Sequence, residues 1–347
     1  MDLQILPVTT SKEKVKDENQ LVFGKQYTDR MLIMEYDKGQ GWHSARIQPY
    51  GPISLDPAAM VLHYSQEIFE GLKVFRRPDG SLSMFRPADN ITRFNRSAER
   101  MCMPEVDETF FLDAMLELIR LEADWVPRSA GTSLYVRPTM IATEPMLGVR
   151  PADQYLCYVI LSPVGPYYKG GIAPVKIWIS DFYVRATEGG TGEAKTGGNY
   201  ASALRHVVKA REEHGADQVL FCPNGDVQET GASNFFLIND SQLLTKPLDA
   251  SFLHGVTRDS VITLARDLNY DVIERDFTVA EVMDWIQTGE AALSGTAAVL
   301  SGVGSFVHKG ATYKVGDGST GPNTRKLSDA LRALQSGRTE DRFGWLS

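Results

Sequence analysis

Apolar and polar residues change their spacing several times along this chain, and each change marks a predicted boundary between a strand and a helix. Within residues 108–125, apolar side chains recur every three or four positions, which is the spacing of a helix with one buried face. The turn sequence Pro78-Asp79-Gly80-Ser81 separates two short apolar runs, so residues 72–86 are predicted to form a β-hairpin. The pattern predicts strands over residues 61–65, 72–77, 82–86, 133–142, 155–162 and 175–180 and in the segments QVLFCP and FFLIN, and helices over residues 88–101, 108–125, 199–214 and 257–268.

A segment dense in proline and glycine, residues 163–174, interrupts this pattern. The chain has 347 residues, which exceeds the roughly 250–300 residues at which a single hydrophobic core usually stops growing. We therefore predict two domains. The predicted divisions are a flexible N-terminal arm over residues 1–20, a small α/β domain over 21–165, an interdomain linker over 166–175 and a large domain over 176–347.

Charge and composition exclude several classes of protein. With 36 basic and 44 acidic residues the net charge is −8, which argues against a nucleic-acid-binding surface. The cysteines, Cys102, Cys157 and Cys222, are far apart and the six histidines form no i,i+4 pair, so we expect no metal site. No signal peptide and no membrane-length apolar run is found, which predicts a cytoplasmic protein without membrane partners.

One lysine lies in a glycine-rich segment, Glu188 to Tyr200, which reads EGGTGEAKTGGNY. Such a segment is usually a flexible loop, in which Lys195 would be an ordinary solvated side chain. Alternatively, the glycines let the backbone approach a bound ring, and Lys195 attacks an aldehyde as a desolvated, neutral amine. The segment alone leaves both interpretations open.

Other polar residues allow two interpretations in the same way. Glu229 is either a solvated turn carboxylate or the anion that keeps a pyridine nitrogen protonated. Arg93 is either an exposed helix arginine or the bidentate partner of a phosphate. The segments HGVTR (254–258) and SGTAA (294–298) are either ordinary turns or donors of backbone amides and hydroxyls to an anion.

Taken together, these segments resemble the branched-chain aminotransferases of fold type IV, enzymes that depend on pyridoxal 5′-phosphate (PLP). The resemblance covers residues 20 to 345, and its motifs occur in the same order. The motifs are HYSQEIFEGLKVF (63–75), FRPADNITRFNRSAERM (85–101), SLYVRPTMIATEPMLGV (133–149), KTGGNYASA (195–203), QETGASNFF (228–236), GVTRD (255–259) and SGTAA (294–298).

The resemblance implies an α+β fold in two domains, of which the larger C-terminal domain binds PLP around a β-barrel-like sheet core. It implies exchange of the amino group of leucine, isoleucine or valine with 2-oxoglutarate by a ping-pong mechanism, and at least a homodimer. For the cofactor, the resemblance assigns Lys195 to the covalent link and the proton transfer, Glu229 to the pyridine nitrogen and Tyr200 to the 3′ oxygen, and it assigns the phosphate to Arg93, Val256, Thr257 and Thr296. For the substrate, it assigns the α-carboxylate to Ala297, Ala298, Arg137 and Tyr64. It assigns the side-chain pocket to Phe69, Tyr135, Tyr167 and Tyr27, with Leu147 and Val149 entering from a partner subunit.

Two other interpretations remain to be tested. The chain could be a D-amino acid aminotransferase or an aminodeoxychorismate lyase of the same fold type, although its length and its HYSQEIFEGLKVF and YVRP segments disfavour both. It could also bind PLP without catalysis, although intact Lys195 and Glu229 disfavour that interpretation. Two features depart from mammalian members: Ala298 and Ser301 replace a CxxC pair, and Ala232 replaces a threonine.

Overall fold

A computed structural model describes residues 1–165 and 173–347 and divides the chain into two compact units. The N-terminal unit contains the described residues up to 165 together with Ala194–Gly197 and Gln335–Ser347. The C-terminal unit contains residues 173–193 and Gly198–Leu334. The predicted linker lies mostly outside the described residues. The unit boundaries differ from the predicted domains because two distant segments fold with the N-terminal unit.

The N-terminal unit is built on an eight-stranded sheet with the order β1-β3-β2-β8-β7-β5-β6, in which β4 also pairs with β7. Its elements are β1 (Gln4–Ile5), β2 (Arg30–Asp37), β3 (Gly41–Pro49), α1 (Met60–Tyr64), β4 (Glu67–Phe69), β5 (Leu72–Arg76), β6 (Leu82–Met84), α2 (Pro87–Arg100), α3 (Glu108–Leu121), β7 (Ser133–Ala142) and β8 (Gln154–Val164), with 3-10 helices at Glu18–Gln20 and Ala123–Trp125. The first 20 residues are part of this unit, because β1 pairs with β3 and the amide of Lys12 donates to Asp29.

The two faces of this sheet carry different side chains, because successive strand residues point to opposite sides. On β7, Leu134, Val136 and Met140 are buried in the main core together with side chains of α2 and α3. Two rings of those helices, Phe94 and Phe111, stack with centroids 5.7 Å apart. The alternate residues of β7 therefore point away from this core.

The C-terminal unit contains a second eight-stranded sheet with the order β10-β9-β15-β14-β11-β12-β13, in which β16 pairs with β15. Its elements are β9 (Val175–Ser180), α4 (Gly197–His214), β10 (Gln218–Phe221), β11 (Asn234–Ile238), β12 (Gln242–Thr245), α5 (Val256–Asp267), β13 (Asp271–Glu274), α6 (Val279–Trp285), β14 (Glu290–Gly295), β15 (Val299–His308), β16 (Ala311–Lys314) and α7 (Pro322–Gln335), with a 3-10 helix at Pro223–Gly225. Its core contains large buried side chains such as Phe235, Leu237 and Phe306.

Most predicted elements are confirmed, including the hairpin of β5 and β6 and the strand over residues 133–142. The prediction of a strand over residues 61–65 is wrong, because Met60–Tyr64 is a short helix that ends at Ser65 in the left-handed conformation. Among the described residues, no helix is both long enough and apolar enough to cross a membrane.

Candidate active site

The candidate residues divide between the two units, and within the N-terminal unit they gather on the outer face of β7. Tyr135 and Arg137 are alternate residues of this strand, and Phe69 on β4 lies opposite Thr139 on the same face. The Arg137 guanidinium is 4.7 Å from the centroid of the Phe69 ring, and its Nη2 donates to the Tyr135 hydroxyl at 3.0 Å. Three of the predicted substrate-binding residues therefore form one connected group.

Lys195 belongs to a short segment, Ala194–Gly197, that runs beside β4 in the N-terminal unit. Its carbonyl accepts a hydrogen bond from the backbone N–H of Phe69 at 3.0 Å, and its own N–H donates to Ser97 Oγ at 3.0 Å. Its Nζ is 4.8 Å from the centroid of the Phe69 ring. The ring contacts two cations, an arrangement that stabilises positive charge through the electron-rich face of the aromatic ring.

Glu67, which the sequence did not single out, lies on the same face as Phe69 and Arg137. Its Oε1 accepts a hydrogen bond from the backbone N–H of Gly197, two residues after Lys195. Burial raises the pKa of the Glu67 carboxyl above its ordinary value of 4.5, and the Gly197 N–H and the charge of Arg137 only partly oppose this shift. A half-buried carboxylate is thus placed directly against the lysine segment.

Arg93, the predicted phosphate ligand, is buried on α2 and paired with Glu70. Its Nε donates to Glu70 Oε1 at 2.6 Å and its Nη2 donates to Glu70 Oε2 at 2.8 Å. The pair is bidentate and both side chains are nearly inaccessible to solvent. The guanidinium is therefore held in a fixed orientation, which suits the recognition of a planar or tetrahedral anion.

In the C-terminal unit, Glu229 is buried and surrounded by donors. Its Oε1 is 2.6 Å from Nη1 of Arg185 and 3.2 Å from the backbone N of Leu253, and its Oε2 is 3.2 Å from Nδ2 of Asn234. Arg185 also lies 5.2 Å from the centroid of the Tyr200 ring, so it links two predicted cofactor-binding residues. Arg185 could not be predicted as a functional residue because no local sequence pattern distinguishes it from a surface arginine.

The two predicted anion-binding turns also belong to the C-terminal unit. Val256 and Thr257 are the first residues of α5, where backbone N–H groups have no helical partner. Residues 296–298 form the turn between β14 and β15. The following residue, Val299, has a φ of +68°, which a β-branched residue adopts only under strain. Such strain is often retained where a turn must present its amides to a ligand.

Four other predicted residues, Tyr27, Tyr64, Leu147 and Val149, also belong to the N-terminal unit. Tyr27 stacks on Tyr50 with ring centroids 5.0 Å apart. Tyr64 is 39% exposed at the end of α1, and Leu147 and Val149 are 67% and 90% exposed in the loop after β7. Tyr167 lies outside the described residues.

Each unit, taken by itself, contains polar groups that suit a part of PLP. Within the described residues, Nε of Arg137 is buried without a hydrogen-bond partner, and so is Oγ of Ser294 next to the 296–298 turn. Buried polar atoms without partners are costly unless a ligand or water satisfies them. A lysine, a buried carboxylate and unsatisfied donors are the groups that a pyridine aldehyde carrying a phosphate requires.

Comparisons with known proteins agree with this chemistry. Residues 67–306 match the family described as amino-transferase class IV. The chain is 44% identical to branched-chain-amino-acid aminotransferase 2 of Bacillus subtilis (strain 168) over 344 residues, which cover 97% of this chain and 94% of that protein. It is 46% identical over 331 residues to a probable branched-chain-amino-acid aminotransferase of Streptomyces coelicolor, covering 93% of this chain and 91% of that protein.

Solved structures show the same fold. The branched-chain amino acid aminotransferase from Escherichia coli superposes with a TM-score of 0.74 at 26% identity, covering 92% of this chain and 98% of that chain. The branched-chain aminotransferase from the thermophilic archaeon Thermoproteus uzoniensis, solved with norvaline, has a TM-score of 0.75 at 24% identity, covering 92% of this chain and 99% of that chain. These likenesses extend over nearly the whole of each chain.

Proposed function

This chain belongs to the class IV aminotransferases and is a branched-chain-amino-acid aminotransferase that depends on PLP, and from this premise we propose how its residues divide the reaction. PLP, when bound, supplies the electron sink that makes the substrate Cα–H bond acidic. We assign the ε-amino group of Lys195 to the covalent attachment and to the removal of the proton from Cα. The observation that supports this assignment most is the position of its Nζ, 4.8 Å from the centroid of the Phe69 ring, which Arg137 also contacts.

Glu229 is proposed to accept a hydrogen bond from the pyridine nitrogen. The Arg185 guanidinium lies 2.6 Å from Glu229 Oε1, and an anion at this position would keep the nitrogen protonated. Tyr200, whose ring lies beside Arg185, is proposed to donate its hydroxyl to the 3′ oxygen. These residues set the electronic properties of the ring without taking part in bond formation.

The remaining residues are proposed to hold the two anionic ends of the reactants. Arg93, the amides of Val256 and Thr257 and the hydroxyl of Thr296 would hold the phosphate, and the amides of Ala297 and Ala298 with Arg137 and Tyr64 would hold the substrate α-carboxylate. Because Glu70 already neutralises Arg93, we expect this arginine to contribute directional hydrogen bonds more than net charge.

Substrate choice follows from the chemistry of the side-chain pocket. Phe69, Tyr135, Tyr27 and Tyr167 are proposed to wall the pocket, and apolar walls discriminate one methylene by only about 1–3 kcal/mol. Leucine, isoleucine and valine should therefore all be substrates. Because Arg137 is assigned to the α-carboxylate, we propose the Tyr135 hydroxyl, which accepts a hydrogen bond from Arg137 Nη2 at 3.0 Å, as the donor to the γ-carboxylate of glutamate.

A donor and acceptor panel tests the proposed function. Leucine, isoleucine and valine should convert 2-oxoglutarate to glutamate, and the conversion should be followed through the absorbance of the bound PLP. Turnover of D-alanine without turnover of leucine would indicate a D-amino acid aminotransferase. Bound PLP without turnover of any donor would indicate a catalytically silent protein.

A variant of Lys195 tests the central assignment. Lys195→Ala should lose essentially all transamination, and borohydride reduction followed by proteolysis should place no pyridoxyl label on the 194–197 segment. Lys209→Ala is the matched control, because Lys209 lies on α4 and pairs with Glu213 at 3.5 Å. Substantial turnover by Lys195→Ala would contradict the assignment.

We also propose a homodimer that acts in the cytoplasm. Exposed apolar side chains lie together on α1 and on the loop after β7, since the N–H of Met146 donates to the carbonyl of Ala58 just before α1. We call this group of exposed side chains the 146–149 surface; its members are Leu62, Tyr64, Met146, Leu147 and Val149. Contiguous exposed apolar residues favour association with a second subunit.

The three cysteines are all unpaired, which suits a reducing compartment.

A further inference from the structure

Three backbone groups of the Lys195 segment are bound by residues of the N-terminal unit. Ser97 Oγ accepts from the Lys195 N–H at 3.0 Å, the Phe69 N–H donates to the Lys195 carbonyl at 3.0 Å, and a carboxylate oxygen of Glu67 accepts from the Gly197 N–H. The segment is therefore fixed on both sides of the lysine, and two of the three partners belong to β4.

Glu67 differs from the other two partners because it reaches the segment through a long side chain. Its carboxylate occupies the space that a Cβ at position 197 would need, so Gly197 allows the close approach. A charged acceptor also forms a stronger hydrogen bond with a backbone N–H than a neutral one does. Among these contacts, the one from Glu67 depends most on the identity of a side chain.

The carboxylate of Glu67 lowers the stability of the folded protein at this position. Burial raises the pKa of its carboxyl, which means that the folded protein disfavours the charged form. A residue that reduces stability in this way is commonly retained for the function of the site. The residues around Glu67 belong to the proposed active site, because Phe69 and Arg137 lie on the same face of the sheet and Lys195 is two residues before Gly197, the hydrogen-bond partner of Glu67.

We propose that Glu67 is a positioning residue, whose carboxylate fixes the backbone after Lys195 and thereby aims the ε-amino group at the substrate Cα. This inference rests on the proposed role of Lys195. Glu67 itself transfers no proton and contacts no reacting atom in this scheme. Its contribution is to the geometry of the chemical step, so its loss should lower kcat more than it changes the KM for leucine.

The test compares two variants of the PLP-loaded enzyme. Glu67→Ala removes the acceptor, and misplacement of a catalytic group by about 1 Å costs roughly 100-fold in rate, so we expect kcat to fall about 10- to 100-fold with the leucine KM within about threefold. Glu67→Gln keeps an acceptor oxygen at the same reach and should recover kcat to within about fivefold of the original enzyme. Recovery by the amide separates positioning from a requirement for charge.

Glu18→Ala is the matched control. Glu18 is also a carboxylate of the N-terminal unit that accepts backbone N–H bonds, from Arg128 at 2.9 Å and Ser129 at 2.6 Å, but its partners do not include the Lys195 segment. This variant should keep the original kcat. If Glu67→Ala does not fold, as judged from its thermal transition, Glu67→Met takes its place because it has similar length and lacks the carboxylate acceptor.

The possible outcomes distinguish this role from the proposed function. If the original enzyme fails to exchange leucine with 2-oxoglutarate, the proposed function is overturned, and with it the premise of this inference. If the original enzyme is active and the variant without an acceptor keeps kcat within about twofold, Glu67 is not a positioning residue. Loss of activity in both Glu67→Ala and Glu67→Gln would also overturn the role, since the charge rather than the acceptor would then be required.

Discussion

Arg185 illustrates how one buried side chain can organise several others. It is almost inaccessible to solvent, forms an ion pair with Glu229 and lies beside the ring of Tyr200. Its Nε also donates to the carbonyl of Gly231 at 3.3 Å, so the guanidinium is bound both by Glu229 and by the backbone that follows it. The orientation of the proposed pyridine-binding carboxylate therefore depends on a residue that need not touch the ring.

Replacement of Arg185 should reveal this dependence. Arg185→Met leaves the Glu229 carboxylate buried without its partner, and breaking one side of a buried ion pair typically costs about 3–5 kcal/mol. We expect a lower free energy of unfolding in urea and a weaker affinity for PLP. Arg120→Gln, which breaks an exposed pair with Glu117, should change neither.

The pKa of Glu67 predicts an unusual dependence of stability on pH. Burial raises the pKa of the Glu67 carboxyl in the folded protein above its ordinary value of 4.5. The free energy of unfolding therefore decreases as the pH rises from the pKa of this carboxyl in the unfolded chain to its pKa in the folded protein. Glu67→Gln should therefore raise the Tm of the protein near neutral pH, and the gain should shrink below the ordinary carboxyl pKa. A gain that is unchanged at acidic pH would contradict the assigned burial effect.

Single residues were predictable from the sequence where they occur in a distinctive motif. Lys195 stands in KTGGNY and Glu229 in QETGASN, so both could be singled out by the resemblance. Arg185 and Glu67 could not, because their roles depend on partners 44 and 130 positions away along the chain. Whether the motif residues perform their assigned roles remains a prediction for the variants described above.

At the scale of elements, local rules explain where helices begin. Thr278 and Glu281 form a reciprocal capping box at the start of α6. Thr278 Oγ1 accepts from the Glu281 N–H at 3.3 Å, and Glu281 Oε2 accepts from the Thr278 N–H at 3.0 Å. The backbone N–H groups of Thr278 and Glu281, which have no acceptor within α6, are both bound in this way.

Removal of this cap should weaken the helix in a measurable way. Thr278→Ala is expected to lower the free energy of unfolding by about 1 kcal/mol, whereas Thr278→Ser should retain most of it. Urea unfolding followed by circular dichroism provides the measurement. An unchanged midpoint in Thr278→Ala would show that packing alone holds α6.

Elements were predicted best where the periodic pattern was long. The strand β7 was predicted with its observed bounds because ten residues of strand composition precede a clear break. The helix α1 was mistaken for a strand because its five residues span little more than one turn, too short to display helical periodicity. The start of α4 at Gly197, two residues before the predicted start, was hidden by the paired glycines.

At the scale of the whole molecule, the chain length and the segment rich in proline and glycine predicted two domains, but they could not predict which residues fold with each unit. Residues 194–197 and 335–347 fold with the N-terminal unit through contacts that no local pattern encodes. The order of the motifs along the sequence gives no indication that the lysine segment hydrogen-bonds with β4. Long-range pairing of this kind becomes visible only in the structure.

The proposed homodimer can be tested through the 146–149 surface. Leu147→Asp and Val149→Asp place a charge among exposed apolar side chains, and burying an unpaired charge in an interface is strongly unfavourable. We expect these variants to shift toward monomer in light scattering and to lose activity in proportion. Tyr313→Asp, at an exposed position of β16, should do neither.

The contacts of residues 345–347 have a consequence for biosynthesis. Met84 and Ser347 exchange two backbone hydrogen bonds, and the Arg86 N–H donates to the Trp345 carbonyl at 2.7 Å. Because a ribosome releases residues in order, these bonds with β6 and its flank cannot form until translation reaches residue 347. The nascent N-terminal unit therefore lacks these partners of β6 while the residues of the C-terminal unit are being synthesised, and it gains them only after residue 347 has left the ribosome.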